Sequence, residues 1–110
     1  VKLWIDDMRN PNSISWRDRY GIPADVVWAK TYDEAYDLIM NNVIEWVGFD
    51  NDLGDYQNRQ GKHLFAILEE QVVMGENPMF EAVFQTSNSV ARQQMLAGYH
   101  RLKDWIKKNG

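Results

Sequence analysis

Two pairs of carboxylates stand where short apolar runs break off. Asp6-Asp7 follow Lys2-Leu3-Trp4-Ile5, and Asp50 and Asp52 follow the run from Val43 to Phe49. A third run, Phe80 to Phe84, breaks off into Gln85-Thr86-Ser87-Asn88-Ser89. Carboxylates brought close together cannot all stay ionised without compensation. A hard divalent cation such as Mg²⁺, held by one to three carboxylates plus waters, is the simplest compensation. Asp6, Asp7 and Asp50 are the candidate metal ligands. Asp50 and Asp52 are the candidate catalytic carboxylates, Asp52 as a base or as a group behind the ligands. The hydroxyls of Thr86 and Ser87 and the amide of Asn88 suit a phosphoryl group beside the metal. Arg92, a few residues further on, adds a cation at the start of a helix, where backbone N–H groups also favour anions. A plainer reading stands next to this one, since acids after a strand form turns and helix caps, and Asp50-Asn51-Asp52-Leu53-Gly54 alone reads as a turn. Two acidic pairs at neighbouring strand ends tip the balance toward a site.

That neighbourhood has to come from the elements. Lys2 to Ile5, Val26 to Ala29, Val43 to Phe49 and Phe80 to Phe84 read as short buried strands. Residues 8–24 carry Asn10, Pro11, Asn12, Gly21 and Pro23 and read mostly as loop, with a helical turn around Trp16 to Tyr20. Thr31 with Glu34 three residues on predicts a capped helix running to about Met40, with Tyr32, Ala35, Tyr36 and Ile39 on one face. Gly61 opens a second helix with Leu64, Phe65, Leu68 and Val72 on its buried face, and Gly75-Glu76-Asn77-Pro78 breaks it. A last helix over about 90–108 buries Ala91, Met95, Tyr99, Leu102 and Ile106. Strands alternating with helices predict an α/β fold with a small open four-stranded parallel sheet and helices on both faces. Right-handed crossovers favour the order 2-1-3-4, which puts the switch point, and so the ligand cleft, between strands one and three.

Composition narrows the function further. The 110 residues contain no cysteine and two histidines, with 45% hydrophobic and 13% aromatic side chains. One domain over residues 1–110 is expected, with enough core to fold unstapled. Disulfide scaffolds, thiolate zinc sites and a cysteine nucleophile are excluded. No apolar run approaches the ~20 residues of a membrane span, and a reducing cytoplasm is the expected location. The net charge of −4 is uneven, because residues 1–88 carry −8 and residues 89–110 carry +4. An acidic body with one basic helix argues against duplex DNA as a partner.

Three segments together resemble the cyclic-phosphate processing receiver-like domains, a divergent branch of the response-regulator receiver fold found in bacteria and their phages. They are Leu3-Trp4-Ile5-Asp6-Asp7-Met8-Arg9-Asn10-Pro11, Phe49-Asp50-Asn51-Asp52-Leu53-Gly54, and Thr86-Ser87-Asn88. In that family they read approximately DDxRxP, FDHDLG and VHSxNP. The resemblance spans nearly the whole chain and implies a receiver- or flavodoxin-like fold that processes cyclic phosphates or related nucleotide ends with acids and two histidines. Here Asn51 and Gln85 stand where the histidines are expected, and Ser89 replaces the proline. Amides can hold a phosphate oxygen or a water but cannot cycle a proton near neutral pH. His63, near a helix start, reads as a surface or capping residue, and His100 as solvated. The fifth strand of a signalling receiver, with its lysine, has no counterpart, which argues against phosphotransfer through Asp50.

Two functions follow. The first is divalent-metal-dependent binding, with hydrolysis left open, of a nucleotide or cyclic-phosphate ligand: Asp6, Asp7 and Asp50 on the metal, and Arg9, Asn51, Gln85, Thr86, Ser87, Asn88 and Arg92 on the ligand. Its enzyme form is a phosphoester hydrolase with a degraded active site. The alternative is a catalytically inactive protein-interaction module, such as a phage-encoded inhibitor of a host protein, contacting its partner through Trp16, Tyr20 and Tyr56.

Overall fold

Leu3, Trp4 and Ile5 are all fully buried, so strand β1 (Lys2–Ile5) is apolar on both of its faces, as a central parallel strand must be. The computed structural model describes residues 1–110. After β1 come α1 (Ile14–Tyr20), β2 (Val27–Ala29), α2 (Tyr32–Asn41), β3 (Trp46–Phe49), α3 (Gly61–Val73), β4 (Glu81–Phe84) and α4 (Ser89–Asn109). The strands lie in the order β2-β1-β3-β4, all parallel, with Ile5 opposite Phe49 and Phe49 opposite Phe84. The expected class and strand order both hold.

Helices cover the two faces unequally. Tyr32, Ala35 and Ile39 of α2, Leu64, Phe65, Leu68 and Val72 of α3, and Met95, Tyr99 and Leu102 of α4 pack on Leu3, Ile5, Val47, Phe49 and Phe84 in one core. The opposite face is covered by α1 alone. Trp4, Ile22 and Trp46 form a small cluster there, flanked by Trp16, Tyr20, Trp28 and Val83. Trp4 stacks on Trp46 at 6.3 Å and meets Tyr20 at 5.9 Å. Its ring lies flat on Gly48, where a Cβ would come within 2.4 Å of it. No helix is long and apolar enough to cross a membrane.

Differences from expectation have local causes. β3 is shorter than the run Val43 to Phe49, because β4 begins only at Glu81 and leaves Ile44 without a ladder partner. The buried Asn77 side chain takes that role, accepting from Ile44 N at 2.8 Å and donating to Ile44 O at 2.9 Å. α1 is a true two-turn helix rather than a single turn. Trp16 and Tyr20 stack along it at 6.1 Å, and Gly21, at φ 62°, ends it by donating to Arg17 O. Tyr36 is half out of the core, stacked on Tyr32 at 6.3 Å. The expected cap on α2 forms, with Thr31 Oγ1 accepting from Glu34 N at 3.1 Å.

Candidate metal and phosphate site

The turn after β1 is built around Asp6. Its Oδ1 accepts from Met8 N at 2.9 Å and Arg9 N at 2.8 Å, and its Oδ2 faces Arg9 Nη1 at 3.1 Å. Two tryptophans of the α1 face hold the same turn from below. Trp28 Nε1 donates to Asp6 O at 2.8 Å, and Trp4 Nε1 donates to Arg9 O at 2.8 Å. Packing and site are thereby joined, because the aromatic surface under α1 fixes the backbone that presents the acids.

Asp50 leaves β3 directly alongside. Its N–H donates to Ile5 O at 2.9 Å, and its Oδ1 accepts from Asn51 N at 2.9 Å and lies 3.7 Å from Arg9 Nη1. Asp6, Asp7 and Asp50 each bring one carboxylate oxygen within 4.8 Å of the others, with Asp6 and Asp50 buried. Burial, then the charge of Asp6, push the Asp50 carboxyl up to about 7, against the pull of the Asn51 N–H and Arg9. An all-carboxylate donor set fits a hard divalent cation. Since Asp6 Oδ1 already takes two N–H donors, the oxygen it can offer a cation is Oδ2, the one Arg9 also holds.

A cavity of about 450 Å³ opens on this cluster, lined by Asp7, Met8, Arg9, Trp16, Asp50, Asp52 and Ser87. Asp52 is exposed at its rim, with Oδ1 accepting from Gly54 N at 3.1 Å. Gln85, Thr86, Ser87 and Arg92 line an adjoining cavity with Arg9. A groove of similar size between α3 and α4, around Leu102 and Trp105, contains none of these groups.

Two amides named from the sequence face helix starts instead. Asn51 is buried, and its Oδ1 accepts from Lys62 N at 3.0 Å while its carbonyl accepts from Gly61 N at 2.8 Å, which fastens the entry of α3. Asn88 is the N-cap of α4, with Oδ1 accepting from Ala91 N at 3.0 Å. Gln85 crosses the sheet end to donate from Nε2 to Ile5 O at 2.9 Å. Thr86 Oγ1 accepts from Asn88 N at 3.1 Å, which leaves its hydroxyl proton free to donate. His63 is the capping residue anticipated, its Nδ1 accepting from Gln60 N at 3.0 Å.

Trp16 and Tyr20 pack on each other beside the cleft, whereas Tyr56 is 81% exposed in the segment between β3 and α3. That segment is tied down. Arg59 donates to both oxygens of Asp55, at 2.8 and 3.0 Å, pairs with Asp33 at 3.0 Å, and lies over the Tyr32 ring at 4.3 Å. Arg59 holds the Asp55 carboxyl down at about 2. A depressed carboxyl contributes stability above its unfolded value, and that stability is lost as pH falls from about 4 toward 2. Arg59→Ala is expected to raise amide hydrogen exchange across residues 54–60 at neutral pH while the β1 and β3 amides stay protected. Unchanged exchange in that segment contradicts the anchoring role.

The sequence did not single out Arg19, and Trp16, expected there on a partner surface, also lines the cleft. Residues 8–24 read mostly as loop, with only a helical turn around Trp16 to Tyr20, whereas the helix starts at Ile14. Once 14–20 is a helix, Trp16, Arg19 and Tyr20 share one face by their spacing.

An open parallel α/β sheet with acids gathered between the ends of β1 and β3 defines a receiver-type domain. The chain belongs to the family of the Cyclic-phosphate processing Receiver domain, whose model matches residues 1–101. No curated protein and no solved structure matches it.

Proposed function

We propose that this domain binds a nucleotide or cyclic-phosphate ligand, with a divalent cation such as Mg²⁺ joining ligand to protein at the C-terminal edge of the sheet. The observation that carries the reading is the convergence of the Asp6, Asp7 and Asp50 oxygens within 4.8 Å, with Asp7 and Asp50 lining a cavity beside Arg9 and Ser87 and Asp6 fully buried behind them. Asp6 Oδ2, Asp7 and Asp50 hold the cation. Bound there, it supplies charge neutralisation for a phosphoryl group and a more acidic water. Arg9, freed in part from Asp6 and Asp50, donates to phosphoryl oxygens with the Ser87 hydroxyl, and Asp52 at the rim accepts from a water or a ligand hydroxyl. Asn51 and Gln85 act as ties of the site frame. With amides where the resemblance expects imidazoles, no imidazole relays protons and proton transfer falls to the carboxylates Asp50 and Asp52, so binding dominates over turnover.

The test uses adenosine 2′,3′-cyclic monophosphate followed by tryptophan fluorescence, since Trp16 lines the cavity. Expected is binding with Mg²⁺, loss of binding in EDTA, and hydrolysis that rises in Asn51→His/Gln85→His. Binding that is indifferent to EDTA contradicts the reading.

A further inference from the structure

The cleft has a second compartment that metal chemistry does not explain. A cavity of about 310 Å³ lies between α1 and the start of α4, lined by Arg9, Trp16, Arg19, Tyr20, Gln85, Thr86, Ser87, Ser89 and Arg92. It shares Arg9, Trp16 and Ser87 with the acidic cavity and has no carboxylate of its own. Arg19 and Arg92, like most lysines and arginines of the chain, make no ion pair with an acid and so keep their guanidinium donors available.

Arg19 is positioned all the same. Its guanidinium lies 5.9 Å from the Trp16 ring and 5.4 Å from the Tyr20 ring, and that of Arg9 lies 5.4 Å from Trp16. A guanidinium packed against aromatic rings keeps the N–H groups along its edge for an oxyanion. Arg92 stands on the opposite wall, in the first turn of α4, where the helix dipole adds to its charge. Thr86 and Ser87 bring hydroxyl donors. Behind the wall, Gln85 holds the end of β1 by donating from Nε2 to Ile5 O at 2.9 Å, with its Oε1 buried toward Gly48.

We infer that this compartment takes a second phosphoryl group, clamped between Arg19 and Arg92, so that the preferred ligand is a nucleotide with two phosphates straddling Arg9. The inference rests on the reading of the acidic compartment as the seat of the first phosphate.

The test compares adenosine 3′,5′-bisphosphate with adenosine 5′-monophosphate by isothermal titration in Mg²⁺. The wild type is expected to bind the bisphosphate roughly tenfold or more tightly, the worth of charge-assisted hydrogen bonds to a phosphate. Arg19→Ala/Arg92→Ala is expected to erase that preference, and Arg19→Lys/Arg92→Lys to keep part of it. Both variants should keep the wild-type melting curve and the wild-type response to Mg²⁺ alone. Equal affinity for the two nucleotides in the wild type overturns the inference, as does a preference that survives the double alanine variant. Failure of the metal reading shows separately, as a wild type that does not respond to Mg²⁺ alone.

Discussion

Asp50→Asn is expected to make the metal-free protein more stable and to abolish its stabilisation by Mg²⁺. An isolated Asp50 carboxylate is costly in the fold, because burial and Asp6 hold the group at about 7 instead of 3.8. Between those two values the folded state binds more protons than the unfolded chain, so stability falls as pH rises through the window. The gap sets a ceiling of about 4 kcal/mol on the cost of ionising Asp50. That ceiling is already net of the pull of Arg9 and the Asn51 N–H, and an amide does not reproduce the protonated carboxyl in full, so Asp50→Asn should stabilise by about 1–3 kcal/mol near pH 8. The advantage should shrink toward pH 4, where the folded wild type is already protonated at Asp50. Urea denaturation in EDTA across this range measures it. Excess Mg²⁺ should stabilise the wild type by about 2.7 kcal/mol at a hundredfold excess over Kd and leave the variant unmoved. A variant less stable than wild type near pH 8 would show that Asp50 supports the fold rather than strains it.

Gly61→Ala is expected to have the larger effect on stability, although residue 61 carries no functional atom. A Cβ there would lie 1.7 Å from the carbonyl oxygen of Asp50, which is backbone and cannot rotate away. Gly61 cannot retreat either, since its N–H is held by Asn51 O at 2.8 Å and the next N–H, of Lys62, by Asn51 Oδ1 at 3.0 Å. Relief requires α3 to lift off the end of β3, which costs about 3 kcal/mol or more and displaces Asp50. Lys62→Ala, one residue on, leaves these backbone bonds intact and should stay within about 0.5 kcal/mol of wild type. Thermal melts of the two variants, with and without Mg²⁺, check both the stability cost and the accompanying loss of metal response. A Gly61→Ala protein as stable as Lys62→Ala contradicts the close contact between α3 and β3.

These two residues also mark what could be read from the sequence. The acids were legible because each follows an apolar run, and parallel strands in the order 2-1-3-4 bring the first and third run-ends together. The buried stripe of α3 was legible from helical spacing alone. The destination of an amide was not. The resemblance expects histidines where Asn51 and Gln85 stand, yet these side chains bond Lys62 N and Ile5 O, partners set by how α3 and β1 pack. The turn-rich composition of residues 8–24 likewise left α1 legible only as a turn around Trp16 to Tyr20, because its stability comes from Trp16 and Tyr20 packing beside Trp4 and Trp46 rather than from intrinsic propensity. Arg9 and Arg92 were legible as ligand-binding candidates, but Arg19 was not, because it joins them only through the full helix.

The metal site is tested most directly by isothermal titration of Mg²⁺ into metal-free protein near pH 8, wild type beside Asp50→Asn. Saturable binding of one Mg²⁺ per chain in the wild type, absent from the variant, is the result expected of the Asp6, Asp7 and Asp50 cluster. No saturable binding in the wild type, or equal binding in the variant, contradicts it.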